Sequence, residues 1–405
     1  QTKACHLTGF LLMNAKLIIY IVSFFVGFSA VASDQLQLVF SQGMQHSNNG
    51  EYTKAAKEFR KMLSIDASLE RPRLELALVL FKSEQYEGAE YHLKKVLTTV
   101  ESEKVKVNIR NFLSQIRQKL PQLNLTVGFV SDTNPNQETS AEKVTIGGME
   151  FDLGTTSKGE SKSGYEVNIN AKVPISIKDK TFVKANLEYT DYSGSNNEKT
   201  FLSTSYGKHF NLSKRSSITP EVGVHRFIHQ GNTLYSGKNI SINYFNAFND
   251  STNAELDYKL LDYKYPDYTY MDGKKRIVTA KLSKFITQNN RVDVQLSKLN
   301  SDSVDKTISY KQSGLTISNT REFNGGWSVG LVATVNKKDY LKGDPFFGVT
   351  REDKEEIVEF TILNGLFNVQ GMSPKLRLGR VVNNSNIALY EFDRNYSKLE
   401  FTKEF

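Results

Sequence analysis

The spacing of apolar residues along this chain changes once, at a proline. Up to Leu120 they recur every three or four positions, as in Ile109, Phe112, Leu113, Ile116 and Leu120, the stripe of an amphipathic helix. After Pro121 the set Leu123, Leu125, Val127 and Phe129 recurs every two, the alternation of a strand with one apolar face. A proline ends the helix because it lacks an amide donor and biases its predecessor away from helical angles. The pattern predicts an α + β chain, helical before residue 121 and built of strands from 122 onward.

Two helical stretches, "GEYTKAAKEFRKML" from Gly50 and "EQYEGAEYHLKKVL" from Glu84, superpose at an offset of 34 residues. Tyr52 falls on Tyr86, Ala55 on Ala89, Phe59 on Leu93 and Leu63 on Leu97. A small residue where two helices cross, an aromatic before the second helix and a 34-residue period form the tetratricopeptide pattern. The first helices of the two units are expected over 35–47 and in "RPRLELALVLF", and a half repeat over 103–120 closes the array. Its concave side, lined by Arg71, Glu75, Leu78 and Lys82, is the expected holder of a polypeptide.

Beyond Pro121, alternating segments of about ten residues follow one another to the end, about fourteen in number, an even count such as single-chain bacterial barrels have. In "VKANLEY", Val183, Ala185, Leu187 and Tyr189 alternate with Lys184, Asn186 and Glu188; "RVDVQLSKL" does the same. Alternation alone does not separate a soluble sandwich from a membrane barrel. Connection lengths do: 131–163, 264–275 and 337–355 are long, while 211–216, 248–252 and 287–290 are short, as in outer-membrane barrels. Tyr189, Tyr192, Phe227, Tyr263, Tyr265 and Phe285 fall near strand ends, where a membrane-interface belt is expected. The chain stops on Phe405, with Leu399 and Phe401 on the same face. The expected lumen face carries Lys184, Glu188, Glu255, Asp257, Lys259 and Asp293, a mixture of signs suited to water or a passing polypeptide. With no linker at Pro121, whatever the helices hold is presented to the pore.

The N-terminus adds an address. Met13 opens a segment with Lys16 as charged flank, an apolar run from Leu17 to Phe28 and the small-residue pattern Ala30-Val31-Ala32. That is a secretory signal, with a mature start expected near Ser33 and residues 1–12 as upstream sequence. The apolar run is too short for the ~20 residues of a spanning helix. The only cysteine, Cys5, precedes that cut, which leaves no disulfide framework. A net charge of +8 is mild, and an exported chain argues against a nucleic-acid partner.

Little points to catalysis. His225 and His229 are four apart, which on a strand separates the rings by roughly 13 Å, too far to share a metal. "GGMEFDLG" lacks the strand-to-helix setting of a phosphate cradle. No catalytic residue, metal or cofactor is expected, and the chain reads as no enzyme.

At this point the chain resembles the surface lipoprotein assembly modulator (Slam) family, the outer-membrane component of type XI secretion. The resemblance rests on the order of signal, short helical array and fourteen-stranded barrel. Two stretches carry it locally: "RPRLELALVLFKSEQYEGAEYHLKKVL" (71–97) and the Asp-x-Asn segment in "VGFVSDTNPN" (127–136). It implies three parts: signal and upstream residues over 1–32, a periplasmic tetratricopeptide domain over 33–121 and an outer-membrane barrel over 122–405. It also implies a translocon for surface lipoproteins or secreted haem- or transferrin-binding proteins, working with periplasmic chaperones in the lipid of a Gram-negative outer membrane. A polysaccharide exporter and a passive porin with an accessory domain are the competing readings.

Overall fold

The computed structural model describes residues 33–119, 122–154, 158–176, 178–194, 197–365, 367 and 372–404. The expected signal, Pro121 and Phe405 lie outside the described residues. Among the described residues five helices come first: α1 (Ser33–Asn48), α2 (Tyr52–Ile65), α3 (Glu70–Lys82), α4 (Tyr86–Leu97) and α5 (Glu103–Lys119). From Val39 onward, helices and strands form one compact unit.

The 34-residue spacing is written into the backbone. The turns before α2 and α4 both pass through left-handed geometry, at Gly50 (φ 76°) and Glu84 (φ 62°). The next amides, of Glu51 and Gln85, donate to the carbonyls of His46 and Leu80, each at 2.9 Å. Small residues sit at the crossings: Ala55, Ala77 and Ala89 are fully buried. At Gly43 a Cβ would lie 2.7 Å from the Phe59 ring. No atom stands within 4 Å of a Cβ built on Gly50, so Gly50→Ala tests backbone cost alone. It is expected to destabilise the α1–α2 turn by about 1 kcal/mol, read as faster amide hydrogen exchange in the first turn of α2.

Among the described residues fourteen barrel strands follow: β1 (Gln122–Asp132), β2 (Lys162–Ser176), β3 (Thr181–Tyr192), β4 (Lys199–Lys208), β5 (Ser216–His229), β6 (Asn232–Ala247) and β7 (Thr252–Tyr263). The second half comprises β8 (Gly273–Thr287), β9 (Asn290–Ser303), β10 (Tyr310–Glu322), β11 (Trp327–Tyr340), β12 (Glu352–Asn364), β13 (Ser373–Ser385) and β14 (Phe392–Glu404). Each pairs antiparallel with the next, and β14 returns to β1, from Asn124↔Glu404 to Asp132↔Tyr396. Beyond His209, β4 resumes as Phe210–Asn211 against β5. A separate hairpin, Lys143–Ile146 with Met149–Asp152, stands in the β1–β2 connection.

Closure removes the sheet edge that a bilayer forbids. The alternate apolar residues expected from the sequence face outward and stay uncovered: Phe129, Val222, Val224, Leu256, Leu282 and Leu296 are all exposed. A soluble sandwich would bury that face under a second sheet; here it is left for lipid.

The connections divide by end, with one departure from expectation. On the helical side the turns are short, down to the two residues 288–289 between β8 and β9. On the far side the connections over 133–161 and 341–351 are long, but β5 and β6 join through only Gln230 and Gly231. Both have positive φ, 51° and 74°, the geometry of a tight hairpin.

The expected aromatic belt is also corrected. Tyr189 pairs with Tyr165 on the outer face. Tyr263 and Tyr265, in contrast, join Tyr235 and His225 in a cluster of ring contacts with centroids 5.0–5.2 Å apart. Phe227 stacks on Tyr235 at 5.3 Å, and Tyr192 and Phe285 are buried. Strand parity turns these rings into the barrel, which nearness to a strand end does not reveal.

Candidate functional site

Two charged clusters govern how the barrel is capped and closed. The first seats the helices on the short turns. The amide of Ala67 donates to Asn324 Oδ1 at 3.1 Å, and Gln288 Nε2 donates to the carbonyl of Ser68 at 2.5 Å. Arg110 reaches both carboxylate oxygens of Asp250, at 2.8 and 3.0 Å. At the centre, Arg73 is 1% exposed, donating to the carbonyl of Ala67 (2.6 Å) and to Glu322 Oε2 at the end of β10 (3.2 Å). Lys95 Nζ lies 2.6 Å from the other oxygen of Glu322.

Burial, followed by the Arg73 guanidinium, pushes the Lys95 ammonium down to about 6. Burial, then Arg73 and Lys95, holds the His92 imidazole well below its ordinary value. Each group therefore binds fewer protons folded than unfolded. For Lys95 that holds between about 6 and its ordinary 10.5; for His92 it holds below its ordinary 6.5. In both windows stability rises with pH. Glu322 works the other way above its ordinary 4.5, because burial raises its carboxyl against the pull of Arg73. Two groups stand against this one, so the helical cap is expected to loosen as pH drops from 8 to 5, with Arg60 and Arg291 as the other charges facing these groups. Hydrogen exchange of α3 and α4 amides at the two pH values, corrected for intrinsic rates, checks it.

The second cluster closes the β1–β14 seam from inside. Asp132, the last residue of β1, has no exposed side-chain surface. Arg394 of β14 donates to it through Nε (2.9 Å) and NH2 (2.6 Å), and the Tyr192 hydroxyl donates from β3 at 3.2 Å. The amide of Asn134 donates to the same carboxylate at 2.9 Å. Toward the helical end, Lys398 of β14 reaches over β1 to Glu166 of β2 at 2.6 Å. Gly128 of β1 faces both Glu166 and Glu400, and a Cβ there would lie 3.3–3.4 Å from their side chains. Glu400 is held by Lys375 (3.1 Å) and Arg377 (3.2 Å), while Arg377 and the Tyr396 hydroxyl converge on Glu359 at 3.3 and 2.7 Å. Two buried carboxylates, Glu166 and Glu400, thus flank one glycine, the first held by Lys398 and the second by Lys375 and Arg377.

The connection after β1 is tied across the same seam. Thr139 Oγ1 donates to the carbonyl of Ala388 at 2.7 Å, and the amide of Ser140 donates to that of Glu391 at 2.8 Å.

The residues expected in the lumen share the face opposite the exposed apolar row. Lys184, Asp257 and Lys259 line one cavity of about 540 Å3, together with Glu87 from α4. Lys184 is ion-paired with Glu221; Asp257 accepts from Asn243 at 2.9 Å. Glu188 accepts from Asn186 at 2.9 Å, Glu255 stands 3.7 Å from Lys281, and Asp293 is held by Arg291 at 2.8 Å. On the helices, Arg71 and Lys82 are exposed and Leu78 half-buried. Glu75 departs from expectation: it is buried, and its carboxylate is 2.5 Å from Arg71 one turn earlier, so it offers no open contact. Sequence reasoning missed Arg73, Lys95, Glu322, Arg394 and Lys398. Asp132 stood in a quoted stretch, but its partner lies 262 residues away.

A closed antiparallel barrel with an uncovered apolar outer face, a polar ion-paired interior and a helical cap on one mouth defines an outer-membrane β-barrel protein. Residues 122–405 match the family described as surface lipoprotein assembly modifier, and the chain belongs to that family. It is 23% identical over 400 residues to surface lipoprotein assembly modifier 2 of Haemophilus influenzae, covering 92% of this chain and 78% of that protein. It is 22% identical over 393 residues to surface lipoprotein assembly modifier 1 of the same species, with coverage of 92% and 78%. Among solved structures, a bacterial polysaccharide outer membrane secretin aligns with TM-score 0.41 and 9% identity over 70% of this chain and 98% of its own. The outer membrane channel DcaP of Acinetobacter baumannii aligns with TM-score 0.41 and 9% identity, covering 70% and 96%.

Proposed function

We propose that this protein is an outer-membrane translocon that carries specific lipoprotein or haem- or transferrin-binding cargo to the cell surface. In this reading the helices stand in the periplasm as a tetratricopeptide-like array that engages cargo delivered by chaperones, and the barrel passes it outward. The observation that carries it is the position of the cap: Asn124, at the start of β1, donates to Glu87 of α4 at 3.0 Å, and Glu87 borders the same cavity as lumen lysines 184 and 259. A segment held by the helices is therefore delivered to a mixed-charge interior. Such an interior solvates a polypeptide of either sign, whereas a porin for one ion class favours one sign. Family membership supports the lipoprotein half of the reading. The role needs no catalytic residue, and direction comes from cargo folding outside.

The test is coexpression with a candidate lipoprotein from a neighbouring reading frame, followed by protease added to intact cells. Cargo is expected to be cleaved only when the barrel is present. Equal cleavage without it would end the reading.

A further inference from the structure

The outer face of the barrel carries charge unevenly. On β11–β13, cations on the lipid-facing side each have an acid: Lys337 with Asp339 (3.0 Å), Lys354 with Glu356 (2.7 Å) and Arg380 with Asp393 (2.5 Å). On β5–β10, Arg226, Lys238, Lys274, Arg276, Lys298 and Lys311 are all exposed. They have the outward parity of Val224, Ile240, Val278, Leu296 and Leu315; among the described residues none of them forms an ion pair, although Asp262 and Asp302 are the register partners of Lys274, and Asp339 is that of Lys311. Four lie close to the rim opposite the helices: Arg226 is three residues short of the end of β5, Lys274 and Arg276 open β8 and Lys311 is the second residue of β10; Lys298 and Lys238 stand five and six residues in from the rim ends of β9 and β6. A lysine or arginine facing hydrocarbon costs several kcal/mol at mid-membrane but little near the interface, so this height suits a head-group layer.

Beneath two of these cations the surface is hollow. Ala171, Ala185 and Thr204 are register partners across β2, β3 and β4, and a row of small residues leaves space where large ones would stand. The groove is about 760 Å3, with Ile169, Leu187 and Val224 also on its apolar walls and Arg226, Lys238 and Lys264 at its charged end. Lys264 is already taken by Asp272 at 3.1 Å, and Asp262 lines the same end. Arg226 and Lys238 remain for a ligand.

We infer that this groove and its cationic rim form a specific site for a phosphorylated lipid of the outer leaflet, an acyl chain lying in the groove and phosphates on Arg226 and Lys238. The spread of the other four cations around β8–β10 suits a head group with more than one phosphate, or neighbouring lipids of that kind. Charge complementarity selects this occupant: an unpaired guanidinium beside an apolar trough facing the bilayer calls for an anionic amphiphile. The inference takes only the orientation of the rim from the preceding reading, and it requires no cargo.

The experiment is native mass spectrometry of the full chain in detergent with bisphosphorylated lipid A, the same lipid stripped of phosphate, and inorganic phosphate as competitor. Retention of bisphosphorylated lipid A is expected to fall about tenfold in Arg226→Gln/Lys238→Gln, the loss of one or two charge-assisted contacts. It should persist in Arg226→Lys/Lys238→Arg and in the flank variant Lys337→Gln/Lys354→Gln, each checked as folded by its heat-dependent gel mobility. Equal retention of the stripped lipid, displacement by inorganic phosphate, an unaffected rim variant, or an equal loss in the flank variant would overturn the site. Because no cargo is present, failure here leaves the translocon reading standing, and failure of cargo display leaves this site standing.

Discussion

Replacing Asp132 with alanine is expected to cost the barrel about 3–5 kcal/mol, the range found when one partner of a buried ion pair is removed. Asp132 is completely enclosed, and Arg394, which bonds it through two nitrogens, is itself only one-fifth exposed. An arginine cannot shed its charge to escape an apolar setting, so the guanidinium left behind must rearrange or pull water inward. The Tyr192 hydroxyl and the Asn134 amide lose the same acceptor, and with them the link from β3 and the anchor of the connection after β1. The loss falls at the junction of first and last strands, where the chain has no covalent continuity. A gel assay of folded against unfolded mobility should show a clearly lower melting temperature. Asp132→Ala combined with Arg394→Met should recover much of it, since two apolar groups leave no orphaned charge. A single variant that melts with the parent would mean that the β1–β14 ladder closes the barrel without this pair.

Much of the architecture was legible because the two periodicities are properties of single segments. Each of the fourteen strands, and each helix, buries or exposes one face along its own length, so alternation or a 3.6-residue stripe locates it without its neighbours. The repeat was legible for a related reason: the left-handed turns at Gly50 and Glu84 and the small residues Gly43 and Ala77 recur at a fixed offset.

The charged clusters were not legible, because they depend on closure and register. Lys398 meets Glu166 only once β14 lies beside β1 and β1 beside β2. Arg73 meets Glu322 across 249 residues of sequence. Reading the aromatics failed for a neighbouring reason. Tyr192, Tyr263 and Phe285 stand near strand ends, but one step of parity decides whether a ring faces lipid or lumen. Glu75 illustrates the limit on the helices, where an i, i+4 arginine neutralises a carboxylate that helical position alone would offer to a partner.

Glu322→Ala is expected to release the helical cap, again at a cost of about 3–5 kcal/mol. The two basic groups on this carboxylate respond differently. Lys95, pushed down to about 6 by burial and by Arg73, is already mostly a neutral amine at pH 7 and can stay buried as one. Arg73 has no such exit, and at 1% exposure it keeps, among the described residues, the Ala67 carbonyl and the His92 ring as hydrogen-bond partners. Most of the penalty therefore belongs to Arg73, and Lys95→Met added to Glu322→Ala should change little. Arg73→Met added to Glu322→Ala should restore much of the docking. Limited proteolysis between α3 and α5 reads the release, since α2–α4 lose their central attachment to the β10–β11 turn while the barrel stays folded. If cargo passes from cap to lumen, the released variant should keep a folded barrel and still lose surface display. A variant with a detached cap and undiminished display would show that the helices are dispensable for transfer.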